Sequence, residues 1–282
     1  MSETLPATAD IAPQRGSEIR ARKIGFPFSS EIPRHWFGGN PWATHLANGL
    51  NLLFPLGERF FVRSVRHYLD RVDDPELLAQ VKGFVGQEVR HGLEHERFFE
   101  VLSAQGFRVD RFLAAYEALA FRGLERLAPP KLRLSATVAL EHLTATMAET
   151  ALTRDMLQIA HPTMRDLFLW HAAEEIEHKA VAFDVLQRVD DSYALRVAGM
   201  LLAMSTLVPF WIAGAAMLLA QDDSVTWREL LVARRRAKAA GHDRDDVGRA
   251  FLQYLRRDFH PSQVDNAHLA RRLFERWTAA RA

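Results

Sequence analysis

The sequence contains no cysteine. Disulfides and thiolate ligands are therefore excluded, and any metal ion must be held by nitrogen and oxygen donors. Net charge is nearly absent too. The 36 Lys and Arg residues against 35 Asp and Glu leave only +1, so no nucleic-acid partner is expected. No segment shows the period-2 alternation of a half-buried strand. The first 22 residues hold no long apolar run. They carry no secretory signal pattern and are expected to be disordered. Together these absences point to a cytoplasmic, all-α protein.

What is present is apolar helical periodicity broken by clear punctuation. Residues 24–41 are rich in Pro, Gly and aromatics and read as an ordered loop leading into the first helix. Helical spacing follows from Trp42 to about Asp70, with Pro55 and Gly57 marking a kink or restart just before Glu58. Asp74-Pro75 is a helix start, and that helix is expected to stop at Gly106. A shorter helix is expected over 109–127, a long one from Pro130 to about Ala160, and another over 164–189. Four long helices with one longer central connection describe a four-helix bundle with a crossover. The expected division is a terminus over 1–22, a metal-binding bundle over 23–195, an apolar segment over 196–222 and a helical tail over 223–282.

The residues that carry chemistry repeat. Glu88 and His91 are three apart and share a helix face, as do Glu175 and His178. Each Glu-x-x-His follows a lone Glu on the preceding long helix: Glu58 lies 30 positions before Glu88, and Glu141 lies 34 before Glu175. That distance is about one helix plus a turn, which brings neighbouring helices face to face. Four carboxylates offset most of the charge of two divalent ions and can bridge them, while each histidine fixes one ligand per ion. One Glu-x-x-His means little; two with matched lone glutamates inside apolar helices form a specific pattern. The predicted cofactor is two metal ions, iron first, with manganese and zinc as alternatives. His171 lies four before Glu175 and seven before His178 on the same stripe. It is either a further ligand or a hydrogen-bond partner of a ligand carboxylate. His95, His142 and Glu149 are expected to support the ligands rather than bind metal. Thr144 is a further candidate, for contact with bound oxygen. Glu174 and Glu177 flank the stripe and are expected to face solvent or pair with Lys179.

This ligand set resembles ferritin-like di-iron carboxylate proteins, and with His171 it resembles the p-aminobenzoate N-oxygenase family in particular. The resemblance implies a ferritin-like bundle with additional C-terminal helices. It also implies seven ligands: Glu58, Glu88, His91, Glu141, His171, Glu175 and His178. The stretches Phe54–Phe61, Phe84–His95, Ala139–Thr144 and Trp170–His178 are similar to the bacterial family of predicted metal-dependent hydrolases, over roughly residues 24–200. The leading expectation is a di-iron enzyme that uses O2 and an electron donor to oxidise a small apolar substrate. Two alternatives stand beside it. One is a hydrolase using a metal-bound hydroxide; the other is a metal-binding helical protein without catalysis. His91-Gly-Leu-Glu-His95 also matches a zinc-peptidase signature, but that reading leaves Glu58, Glu141 and the whole 171–178 stripe without a role.

Residues 197–220 carry no charge over 24 positions, with Pro209 near the middle and a basic run over 228–238 beyond. A single membrane span, a hairpin broken at Pro209 on the inner face of the cytoplasmic membrane, and a buried helical pair all fit this pattern. The last two are favoured. The apolar positions of the tail predict that it docks on the bundle, on a partner or on a membrane surface.

Overall fold

Side-chain acceptors and prolines set where the helices begin. Asn40 Oδ1 accepts from Ala43 N at 3.0 Å and Pro41 opens the first helix; Asp74 Oδ1 accepts from Glu76 N at 2.9 Å ahead of Pro75. In the computed structural model, which describes residues 18–239 and 246–280, the chain is all-α. The helices are α1 (Pro41–Asn51), α2 (Phe54–Arg66), α3 (Pro75–Ala104), α4 (Asp110–Tyr116), α5 (Pro130–Thr153), α6 (Pro162–His178), α7 (Val181–Val189), α8 (Tyr193–Gln221), α9 (Trp227–Ala239), α10 (Asp246–Tyr254) and α11 (Ala267–Ala279). α2 packs on α3 and α5 on α6, and contacts of α2 with α5 and of α3 with α6 close a ring of four helices. α8 lies against α1 and α5, and the tail helices α10 and α11 pack on α5 and α6.

Several boundaries differ from those read in the sequence, each for a physical reason. The expected helix over 109–127 begins as α4 and then widens into a π-type turn over Glu117–Glu125. The wider turn brings Tyr116, Ala120 and Phe121 into one apolar cluster with Leu53. α5 ends at Thr153 rather than Ala160 and is followed by a short 3₁₀ turn, Asp155–Ile159. The expected helix over 164–189 breaks directly after His178, where Lys179 turns out to donate to Val264 O and Asn266 Oδ1, both at 2.5 Å.

The hairpin expected at Pro209 does not form. α8 runs unbroken with Pro209 inside it, on the exposed side, where the carbonyl left without its N–H partner can meet solvent. On the opposite side α8 presses backbone to backbone on α1. A Cβ on Gly49 would lie 2.6 Å from Ala215 N, so only glycine permits this approach. α8 is long and apolar enough to cross a membrane by length and composition, with 22% of its most apolar window buried. One face is thus packed, while Leu201, Pro209 and Ile212 on the other are exposed. The end of α8 is clamped to the chain before α1 and to α1 itself. His35 and His45 both set Nε2 on Asp222 Oδ2, at 2.6 and 2.8 Å, while Ser224 Oγ donates to Oδ1 at 2.6 Å.

The expected disorder of residues 1–22 also needs correction. Residues 1–17 lie outside the described residues, but Ile19 and Arg22 are buried. This segment lies so close to α3 that a Cβ on Gly83 would stand 2.2 Å from Ile19 O. Gly83→Ala should therefore push residues 19–22 off α3. The expected result is a loss of about 1–3 kcal/mol in chemical denaturation, with faster tryptic cleavage after Arg20. Wild-type stability and cleavage in this variant would show that the contact is not needed.

Candidate metal centre

Helix periodicity brings the predicted ligands to one place. α2 supplies Glu58, α3 supplies Glu88 and His91, α5 supplies Glu141, and α6 supplies His171, Glu175 and His178. All seven are buried. His178 Nε2 lies 3.1 Å from Glu88 Oε1, 3.3 Å from Glu141 Oε2 and 3.5 Å from Glu175 Oε1. His171 Nε2 lies 3.0 Å from Glu175 Oε1 and 3.9 Å from Glu58 Oε1, and His91 Nδ1 lies 3.8 Å from Glu175 Oε1. Three overlapping triads, Glu58-Glu88-His91, Glu88-Glu175-His178 and His91-His171-Glu175, each gather their donor atoms within 4.8 Å.

Each imidazole is held by one nitrogen and offers the other. Gln87 Nε2 donates to Glu177 Oε2 at 2.8 Å, so Gln87 Oε1 is the acceptor for His178 Nδ1–H at 2.9 Å. The Glu174 carboxylate can only accept, so His91 Nε2–H donates to it at 3.0 Å. Asn51 Oδ1 accepts from His95 Nδ1–H, leaving His95 Nε2 to accept from His171 Nδ1–H at 2.6 Å. His178 Nε2, His91 Nδ1 and His171 Nε2 therefore face the carboxylates. Fixing the tautomer through the remote nitrogen is what neighbours of metal-bound histidines do.

The carboxylates leave room for a positive charge. Both oxygens of Glu58, Glu88 and Glu141 and one of Glu175 are buried without a hydrogen-bond partner, as are His91 Nδ1 and His178 Nε2. Such orphaned acceptors are costly unless a cation meets them. Burial and the neighbouring glutamates push Glu58 and Glu88 well above the usual carboxylate range, and burial raises Glu141 to about 7. Burial alone would lower His178, but Glu141 and Glu175 hold it well above its ordinary value. Without metal, protons stand in for the missing positive charge. The spacing also fits, since two donors about 2.1 Å from one ion and at right angles are about 3 Å apart. The buried His/Glu cluster can thus hold metal ions.

The surrounding residues divide differently from the sequence reading. The carboxylates of Glu174 and Glu177 do not face solvent; both side chains lie against Arg22, whose Nη1 donates to Glu174 Oε1 at 2.8 Å and to Glu177 Oε2 at 2.7 Å. Burial still raises Glu174 to about 7 despite Arg22. Of the three expected supporting residues, only His95 reaches a predicted ligand. His142 turns away and donates through Nε2 to Ala250 O of α10 at 2.8 Å, tilted against Tyr254 and edge-on to Phe259. Glu149 accepts from Asn266 Nδ2 at 3.0 Å, facing the tail. The Thr144 hydroxyl donates to Glu141 O at 3.0 Å. Arg22, Asn51 and Gln87 escaped the sequence reading, which also placed Glu174 at the surface. A signal existed for Glu174 and Glu177, which repeat the three-residue spacing of Glu175 and His178 one position earlier; none existed for Arg22.

A cavity of about 420 Å³ opens beside the cluster and is reached from the His171 and Glu175 side. Its walls come from α1, α5, α6 and α8, with Arg234 and Lys238 of α9.

The chain belongs to the family described as predicted metal-dependent hydrolase, whose match runs over residues 20–265. The matched span takes in Arg22, all seven predicted ligands and α8, and so extends past the 24–200 read from motifs. Comparison with curated proteins and with solved structures gave no match.

The Arg22 network generates a stability prediction. Arg22→Met would leave Glu174 and Glu177 buried without their cation. In metal-free protein this should cost about 3–5 kcal/mol in chemical denaturation. The double variant Arg22→Met with Glu174→Gln should recover part of the loss. Equal stability of wild type and the single variant would remove Arg22 from the network.

Proposed function

We propose that this family member is a metal-dependent enzyme whose centre takes two divalent ions. Glu58, Glu88, His91, Glu141, His171, Glu175 and His178 serve as ligands. The set of buried, unpartnered carboxylate and imidazole atoms carries the reading, because four glutamates and three oriented histidines balance two divalent cations. Bound ions would supply Lewis acidity and an activated water, or a site for O2.

The residues do the remaining work. Glu175 and His171 both belong to the cluster and line the cavity, so the substrate approaches from their side. Apolar cavity walls exclude bulk water and leave the reacting group to the centre. The family description supports hydrolysis as the reaction. Oxidation by iron and O2 is the second reading, favoured by the carboxylate-rich donor set beside an apolar cavity. The exposed apolar face of α8, together with the arginines of α9, which follows it in the chain, supports association with an anionic membrane surface on the cytoplasmic side.

Protein purified without chelator should contain two ions per chain by elemental analysis. Manganese or zinc with ester or phosphoester cleavage is expected for hydrolysis, and iron with O2 uptake by the reduced form for oxidation. A metal-free protein that takes up no ion on titration would overturn both. His178→Ala should lose an ion and all activity. His95→Phe should weaken metal binding about 10–100-fold through His171, whereas unchanged affinity would remove His171 from the ligand set. In sedimentation assays the protein should bind vesicles containing anionic lipid and release them in high salt; equal recovery in the supernatant with and without such vesicles would exclude the membrane role.

A further inference from the structure

The cavity beside the centre has two chemically distinct ends. Its inner end is formed by buried His171 and Glu175. Its walls are half-buried apolar side chains, among them Leu46, Leu50, Phe54, Met147, Phe168 and Trp211. At its outer end stand Arg234 and Lys238, exposed and one turn apart on α9, while Ala233 and Ala237 on the same helix are buried. Arg234 lies over the ring of Trp42, with Cζ 5.4 Å from the ring centroid, which holds the guanidinium at the rim. Asn40 Nδ2, which donates to Ala233 O at 3.1 Å, ties α9 to the start of α1. Among the described residues that line the cavity, Glu175 is the acidic one.

We propose that this cavity binds an anionic single-chain amphiphile. The carboxylate or phosphate end sits against Arg234 and Lys238, and the apolar chain runs inward along Leu50, Phe54, Met147 and Phe168. Three observations lead to this class. The volume, about 420 Å³, is in the range of small-molecule sites, roughly 300–1,000 Å³. Between its two ends the wall is apolar apart from Thr144 and Thr150, whose hydroxyls donate to carbonyls of their own helix; such a wall recognises a chain rather than a sugar or a nucleotide, because most polar groups desolvated there would go unpaired. The two cations at the rim select a negative end over a neutral one, and they place that end away from the metal centre. The bond that reacts is then at the far end of the ligand from the anionic group: an ester or amide carried there for hydrolysis, or a C–H bond of the chain for oxidation by O2 and an electron donor. This names the substrate class of the proposed enzyme and so rests on that reading, but the binding step itself requires no metal.

The test separates the two. Full-length protein, metal-free and metal-loaded, is titrated with dodecanoate, dodecanol and acetate below their aggregation limits, following tryptophan fluorescence from Trp42 and Trp211 and checking by calorimetry. Dodecanoate should saturate one site in both forms, dodecanol should bind more weakly, and acetate should not bind. Arg234→Glu with Lys238→Glu should weaken dodecanoate about tenfold and leave dodecanol unchanged. Ala151→Phe, which fills the cavity from α5, should weaken both ligands. Elemental analysis of each variant reports the metal centre independently. The proposal is overturned if dodecanol binds as tightly as dodecanoate, if the charge reversal has no effect, or if Ala151→Phe binds like wild type. Each of these can occur with two ions still bound, and a chain that takes up no metal can still bind dodecanoate.

Discussion

Buried carboxylates need positive charge, and most of what is specific about this fold follows from that need. Glu58, Glu88, Glu141 and Glu175 converge in the interior of a ring of four helices, with unpartnered oxygens facing one another. Desolvated and alone, they would repel and protonate. Three imidazoles turn their free nitrogens toward them, and those nitrogens leave room for cations between donors about 3 Å apart. The arrangement makes sense as a binding site and is costly as anything else.

Holding the imidazoles is the task of a second ring of polar groups, and this ring recruits distant parts of the chain. Arg22, from the segment before α1, enters the interior and neutralises Glu174 and Glu177. Glu174 then orients His91, Glu177 orients Gln87, and Gln87 orients His178. On the far side, Asn51 at the end of α1 orients His95, which orients His171. Each chain of hydrogen bonds starts from a group outside the cluster, so the orientation of the imidazoles is set from outside it. The helix break after His178 belongs to the same economy: it frees Lys179 for the tail just where the last predicted ligand ends.

The peripheral helices give the centre its surroundings. α8 closes one side of the cavity with Trp211 while keeping an exposed apolar face of its own. α9 places cations at the rim, and α1 supplies Leu46, Leu50 and Trp42. The buried cluster thereby meets an apolar cavity on its His171 and Glu175 side, with charged residues at the outer end.

Spacing along helices was enough to find the seven residues that converge. Glu-x-x-His and the His171–Glu175–His178 stripe depend on the 3.6-residue period alone, which is a local property. The all-α class and the capped starts at Pro41 and Pro75 were equally local. The roles of Arg22, Asn51, Glu174, His142 and Glu149 were not legible, because each depends on which way a side chain turns once α3, α6 and the tail are packed. His142 sits next to Glu141 in sequence yet serves α10, since adjacent helical residues face different neighbours. Pro209 shows the same limit from the other direction. Its chemistry predicts a break, but packing of α8 on α1 through Gly49 keeps the helix continuous. The sequence by itself determined which seven residues converge and the helices that carry them; tertiary structure alone decided what orients their side chains, where the buried charge is balanced and which side of the cluster faces the cavity.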